Sequence, residues 1–157
     1  MIKTEAIVLK TADLGEADRL LTIYTKEFGK IQVLAKGIKK LESKLRYNLE
    51  PLSYSLLILV EGKNFRIVKD AVLIDQFLSV RNDLEKIKIA YKIVDIINEL
   101  IAGEEKDEDV WNLILETFMA IERDKIYLNL VVSEFQSSLL KLLGYDPKSI
   151  KNLRDIY

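Results

Sequence analysis

The sequence predicts an α+β protein in which a small β-barrel is followed by a bundle of helices. Apolar and polar residues alternate through much of residues 2–77, as in half-buried strands. After residue 78 the apolar residues recur at every third or fourth position, which is typical of amphipathic helices. Because the strands precede the helices instead of alternating with them, the pattern favours α+β over a parallel α/β sheet. The predicted domains are residues 1–78 and residues 79–157.

Five strands are predicted in the first domain, joined by short turns rich in glycine. They cover residues 2–10, 19–25, 31–35, 52–61 and 65–77. Asp70 interrupts the last of these, which is either one strand or a bent pair. The turns at residues 13–16 and 62–64 contain the glycine, aspartate and asparagine residues that tight turns require. So few strands leave exposed edges in a sandwich, so a closed or partly closed barrel is expected.

Three helices are predicted in the second domain from their apolar stripes. They cover residues 80–101, 110–121 and 128–142, and a further helix is predicted over residues 148–157. Gly144 is placed to end the third helix, with Pro147 shortly after it. Residues 103–109, GEEKDED, are interpreted as a charged linker whose acids favour the start of the next helix.

The composition argues against an enzyme. The 157 residues contain no cysteine and no histidine, which excludes disulfides, thiolate zinc sites and cysteine nucleophiles and removes the commonest general base. The serines therefore have no histidine to activate them, and neither phosphate-binding glycine motif occurs. We expect no catalytic residue, no metal site and no cofactor. No apolar run approaches the roughly 18 residues of a membrane span, and no secretory signal is recognisable, so a cytoplasmic protein without membrane contact is expected.

Positive charge is concentrated in one stretch of the first domain. Residues 1–78 hold 13 Lys and Arg against 10 Asp and Glu, whereas residues 79–157 hold 11 against 15. Residues 30–46 alone contain six basic residues and one acid. A surface that holds a polyanion needs such a cluster, but a solvated loop can have the same composition.

The centre of this cluster, residues 36–46, is the candidate binding site and is called the basic loop below. Its cations are Lys36, Lys39, Lys40, Lys44 and Arg46. Beside a small barrel, such a loop can line a groove that follows a nucleic-acid backbone, while nearby aromatic rings stack on bases.

The aromatic residues and the tryptophan each have two interpretations. Tyr47 follows the loop directly, and its role as a stacking platform or as core is left open. Phe28 and Phe65 are expected in the core. Trp111 could dock a partner, but partial burial at the edge of the bundle is favoured.

The order of several short motifs resembles the RecO family of bacterial DNA-repair and recombination mediators. EAIVL at residues 5–9 is similar to the family's first strand, and GEADR at residues 15–19 to its GExDR turn. AKG at residues 35–37, followed by Lys39, Lys40, SKLR at residues 43–46 and LEP at residues 49–51, resembles the family's AKG, S-x-L-R and L-x-P signature. Phe135, Leu139, Leu140 and LGYDP at residues 143–147 resemble the end of a family helix.

The resemblance implies an OB-fold barrel followed by helices, and a mediator that performs no chemistry. Such a protein binds single- and double-stranded DNA, anneals complementary strands, contacts the C-terminal tail of the single-strand-binding protein (SSB), pairs with RecR and assists the loading of RecA. The basic positions carried over are Lys36, Lys39, Lys40, Lys44 and Arg46, together with Arg19. An alternative is a protein-interaction module that docks acidic partners, RecR or the SSB tail, and binds little DNA.

The sequence departs from the family pattern after Pro147. Many members continue there into a four-cysteine zinc motif and further helices, whereas here KSIKNLRDIY follows. We therefore expect no zinc site, and the expectation of an SSB-tail contact is weakened.

Overall fold

The computed structural model describes residues 1–40, 43–123 and 127–145. The chain forms two compact units, and the first comprises Met1–Leu78 together with Gly103–Asp107. The second comprises Ser79–Ala102 and the described residues from Glu108 onward. The helix predicted over residues 148–157, and the motif residues Asp146 and Pro147, lie outside the described residues.

The first unit is a closed barrel of five strands. The strands are β1 (Ile2–Leu14), β2 (Asp18–Thr25), β3 (Gly29–Ala35), β4 (Tyr54–Val60) and β5 (Arg66–Asp75). Around the barrel their order is β1-β2-β3-β5-β4, and β4 also pairs with β1. All pairs are antiparallel except β3 with β5. A five-stranded barrel followed by helices is the predicted α+β fold and agrees with an OB-fold.

The barrel core follows from the alternation of apolar residues along the strands. Successive side chains of a strand point to opposite faces, so one set of alternate residues fills the interior. The buried cluster includes Ala6, Val8, Leu21, Ile23, Ile31, Val33, Leu57, Leu59 and Val68. Burying a leucine or isoleucine side chain contributes about 1.5–3 kcal/mol.

The first hairpin is longer than the sequence predicts. Strand β1 was expected to end at residue 10 but continues to Leu14, which pairs with Asp18. The pairing register shifts between Val8 and Lys10, and this irregularity lets β1 continue beside β2. The turn is correspondingly short, and Gly15 supplies its left-handed conformation at φ 70°.

The helices of the second unit are α1 (Leu78–Arg81), α2 (Leu84–Leu100), α3 (Glu108–Arg123) and α4 (Leu128–Leu142). The prediction of one continuous helix over residues 80–101 was wrong. Asp83 is an N-cap whose side chain accepts hydrogen bonds from the backbone of Glu85 and Lys86, so α2 begins anew there. Helices α2, α3 and α4 pack on one another.

The end of α4 agrees with the sequence analysis, whereas Trp111 is more deeply buried than expected. Gly144 has φ 88°, and the amides of Gly144 and Tyr145 bond to the carbonyls of Lys141 and Leu140 at 3.1 and 3.0 Å. This pair of bonds is the Schellman termination of a helix. Trp111 was expected to be partly buried at the edge of the bundle, but it is only 2% exposed, so its side chain belongs to the helical core and is not available to dock a partner. Among the described residues, no helix has both the length and the apolar character needed to span a membrane.

Candidate nucleic-acid interface

The basic loop is anchored to the barrel by apolar side chains. Ile38 is completely buried within the barrel core cluster, and Leu49, shortly after the loop, is buried in the same cluster. Leu45 is partly buried and packs against it. These contacts place the connection between β3 and β4 against the barrel core. The loop is therefore more than a solvated excursion of the chain.

Backbone hydrogen bonds hold the start of the loop against the turn between β1 and β2. The amide of Gly37 donates to Asp18 Oδ1 at 2.7 Å, and the amide of Lys39 donates to the carbonyl of Ala17 at 3.0 Å. Gly37 has φ 67°, a conformation that glycine adopts without a steric cost. These contacts bring the GEADR and AKG motifs to one edge of the barrel, although the bonded residues Asp18 and Gly37 are 19 positions apart in the chain.

Two of the predicted cations share a carboxylate. Asp13 lies 3.2 Å from Arg19 Nε and 3.4 Å from Lys39 Nζ. The hydrogen bond from Arg19, followed by that from Lys39, lowers the pKa of the Asp13 carboxyl. Because this group is exposed, solvent screens the attraction. Arg19 and Lys39 are thus brought together but are partly neutralised.

The other loop cations face solvent. Lys36, Lys40 and Lys44 are exposed, and Arg46 is half-buried. Within the described ranges of the chain, no carboxylate forms an ion pair with these four side chains. Tyr47 is 67% exposed, which leaves its ring available for stacking.

Most of the remaining barrel aromatics are held by the protein itself. Tyr24 is buried, and burial, followed by the charges of Asp107 and Glu105, raises the pKa of its hydroxyl. Burial, together with a hydrogen bond donated to the Glu5 carboxylate, raises the pKa of Tyr54. Phe28 is partly buried against the core, as the sequence predicted. The same prediction for Phe65 was wrong, because its side chain is half-buried and lines an open cleft instead of joining the core cluster.

Sequence reasoning missed a second cationic feature, centred on Arg66. Its guanidinium lies 4.4 Å from the centroid of the Phe28 ring and donates to both carboxylate oxygens of Glu104 at 3.2 and 2.9 Å. It borders a cleft of about 450 Å³. The available signal was the position of Arg66 directly after the turn between β4 and β5, a loop that binds ligands in many small barrels.

Comparison with known proteins gives a consistent result. The family described as "Recombination protein O N terminal" matches residues 1–77. The chain is 34% identical over 146 residues to DNA repair protein RecO of Roseiflexus sp. (strain RS-1), covering 93% of this chain and 51% of that protein. It is 36% identical over 147 residues to DNA repair protein RecO of Acetivibrio thermocellus, covering 93% and 58%.

A third relative extends the same pattern. DNA repair protein RecO of Thermoanaerobacter sp. (strain X514) is 30% identical over 148 residues, covering 94% of this chain and 60% of that protein. The chain therefore spans between half and three-fifths of the length of these curated relatives. The similarity includes both the barrel and the helices that follow it.

Proposed function

The chain belongs to the RecO family, and from this premise we propose that it acts in DNA repair and recombination as a DNA-binding mediator without enzymatic activity. Single- and double-stranded DNA are the proposed ligands. The proposed binding residues are Lys36, Lys39, Lys40, Lys44 and Arg46 of the basic loop, with Arg19 and Tyr47 beside it.

One observation carries the proposal: the loop is anchored by apolar residues while three of its five cations are exposed. Ile38 is buried in the barrel, whereas Lys36, Lys40 and Lys44 are exposed. A solvated loop does not need this division, but a surface that follows a charged backbone does. The anchors limit the entropy that would otherwise be lost when DNA orders the loop.

The chemistry expected of this surface is electrostatic and involves no covalent step. Each lysine that meets a phosphate releases condensed counterions, and this release supplies much of the affinity. The exposed ring of Tyr47 can stack on an unpaired base, a contact worth about 1–3 kcal/mol per base and tolerant of sequence. Both contributions suit binding that does not depend on base sequence.

The family membership supports further proposals about assembly. We propose that the protein anneals complementary strands and, together with RecR, helps to load RecA onto DNA coated by SSB. Direct contact with the SSB tail is proposed as well.

The alternative is a protein-interaction module with little DNA binding of its own. It is favoured by a shallow groove of about 350 Å³ on the barrel wall, where Leu56, Val72 and Ile74 lie beside Lys3 and Lys26. Glu5 and Glu27 also line the groove, and Lys26 Nζ lies 3.6 Å from a carboxylate oxygen of Glu5. A peptide that carries acidic and apolar residues would suit this groove. RecR and the SSB tail are the candidate partners.

A salt titration tests the main proposal. Fluorescence anisotropy with a labelled oligo-dT measures affinity as salt is raised, and the logarithmic slope is about −0.7 for each phosphate contacted. Replacing Lys36, Lys40 and Lys44 together by alanine should weaken binding and reduce the magnitude of the slope by about 2. The matched control replaces Lys88, Lys92 and Lys141, three exposed lysines of the helical unit, and should change the slope much less.

Equal slopes for the two triple variants would show that the basic loop is not the DNA site. Absence of DNA binding by the wild-type protein, with clear binding of an acidic, apolar peptide, would favour the alternative function. Circular dichroism of each variant distinguishes lost contacts from lost folding.

A further inference from the structure

The acidic segment, Gly103–Asp107, packs against the barrel although it follows α2 in the chain. Glu104 forms an antiparallel bridge with Gly29 at the start of β3. Lys106 Nζ lies 3.0 Å from a carboxylate oxygen of Glu27, in the turn that precedes β3. The segment is therefore docked at a defined place through both backbone and side-chain contacts.

The docking place is an incompletely paired part of the barrel. Strand β3 pairs with β5 only at Val33 and Leu34. An open cleft lies between the first residues of β3 and the turn that joins β4 to β5. The lining residues include Lys30, Gln32, Lys63, Phe65, Arg66 and Glu104.

Three cations lie at this cleft, and one acid of the segment is paired with the arginine among them. Arg66 is stacked on Phe28 and binds Glu104 through two hydrogen bonds, with Glu61 at 3.5 Å from its Nε. Lys30 and Lys63 also line the cleft. A guanidinium that donates two hydrogen bonds to a carboxylate in this way can equally donate them to two oxygens of a phosphodiester.

We propose that the cleft around Arg66 is a second contact site for the backbone of single-stranded nucleic acid, and that Glu104 is an internal competitor occupying the position of a phosphate. This inference rests on the proposed DNA-binding function and adds a site outside the basic loop. When a strand enters the cleft, the acidic segment leaves Arg66 and the phosphodiester takes over the guanidinium.

The observations favour nucleic acid over an acidic peptide as the external ligand. The cleft is open and polar, and the half-buried ring of Phe65 lines it beside Arg66. Cations next to an aromatic ring in the opening of a small barrel are the combination that binds single strands. An acidic peptide is a distinguishable outcome of the experiment.

Glycine 29 permits a test that alters no charge. A Cβ at this position would lie 2.2 Å from the carbonyl oxygen of Glu105, so Gly29→Ala should push the acidic segment off the barrel. Gly15→Ala is the matched control, because Gly15 has nearly the same φ, 70° against 71°, and no atom within 4 Å of its Cβ position. The two substitutions share the backbone strain and differ in the clash.

A second pair of variants removes one charge each. Glu104→Gln removes the charge that pairs with Arg66 and one of the two acceptor oxygens, whereas Glu116→Gln removes the same charge from an exposed site on α3. We expect Gly29→Ala and Glu104→Gln to bind oligo-dT on the order of tenfold more tightly than their controls, the worth of a charge-assisted hydrogen bond. The salt slope should become steeper by about 0.7.

Arg66→Lys, made alone and together with Glu104→Gln, shows whether the gain in oligo-dT affinity depends on the guanidinium. The inference requires that the gain shrink markedly in the double variant, and thermal unfolding verifies that each variant is folded. If Gly29→Ala and Glu104→Gln bind like their controls while the wild-type protein still binds DNA through the basic loop, the inference is overturned and the proposed function stands.

The remaining outcomes are equally decisive. No DNA binding by any variant overturns both the inference and the proposed function. If the two variants gain affinity for a poly-glutamate peptide but not for oligo-dT, the cleft takes protein carboxylates and the nucleic-acid site is rejected.

Discussion

The basic loop and the Arg66 cleft are both cationic, but they differ in how far their cations are paired with carboxylates. In the loop, Lys36, Lys40 and Lys44 are exposed and form no ion pair with any described carboxylate. In the cleft, the Arg66 guanidinium is held by Glu104, and this hydrogen bond raises its pKa. The number of basic residues in a stretch therefore does not measure the charge that a ligand meets.

The difference arises from where the opposing acids lie in the chain. The loop contains a single acid among its cations. The acid that holds Arg66 is 38 residues further along and reaches it only because the chain returns to the barrel after α2. Asp13 is an intermediate case, since it partly neutralises Arg19 and Lys39 from the neighbouring strand.

The largest expected effect comes from removing an anchor of the basic loop. Ile38→Ala should lower the free energy of unfolding by about 2–5 kcal/mol, because it deletes a fully buried side chain from the barrel core. Ile74→Ala makes the same chemical change on a side chain that is 48% exposed and should cost about 0.5 kcal/mol or less.

Urea unfolding measures the free energy of unfolding of Ile38→Ala and of its control, Ile74→Ala. If they proved equally stable, the loop would not be held by the core. Its cations would then be no better positioned than those of a solvated loop, and the basic loop would not be a preformed binding surface.

A smaller effect is expected from releasing Arg19 of β2 and Lys39 of the basic loop from their shared carboxylate. Asp13→Asn removes the carboxylate shared by Arg19 and Lys39, so binding of oligo-dT should tighten by about two- to fivefold. Asp95→Asn, at an exposed position on α2, removes an equal charge from the helical unit and serves as control. Anisotropy titrations that found equal gains for both variants would assign the effect to net charge alone.

The smallest effect is the pH dependence of the same ion pairs. The pKa of Asp13 is lower in the folded protein than its ordinary value of about 3.9, so the folded state binds fewer protons than the unfolded state. The stabilising contribution is therefore fully present above about pH 4 and is lost as the pH falls through the folded pKa.

Comparing urea unfolding of the wild-type protein and Asp13→Asn from pH 6 to pH 3 measures this contribution. The difference in stability between them should narrow as the solution becomes more acidic. A difference that stayed constant across this range would show that the contacts of Asp13 do not depend on its charge.

Local sequence was sufficient for the elements whose cause lies within a few residues. Alternation along the strands predicted the barrel, and the helical spacing predicted residues 128–142, the range that α4 occupies. Gly144 was identified as a helix end because only glycine readily adopts the conformation found there. The basic loop could likewise be singled out, although its two interpretations could not be separated by composition.

Tertiary structure alone decided the features whose partners are distant in the chain. Lys86 lies on α2 but is buried, and its Nζ donates to Ser79 Oγ at 2.7 Å and to the carbonyl of Glu122 at 2.8 Å. Residues 103–107 looked like a linker because their composition is that of a solvated segment, yet they dock on the barrel.

The basic loop and the Arg66 cleft show why the sequence predicts the elements of the fold but not the pairing of individual charges. Periodicity and turn chemistry depend on neighbours along the chain, so the sequence determined the barrel, the helices and the place of the basic loop. Whether a given cation is open or occupied depends on which carboxylate the folded chain brings within about 4 Å of it. For Arg66 this carboxylate is Glu104, which can approach because Gly29 in β3 leaves room for the acidic segment that follows α2.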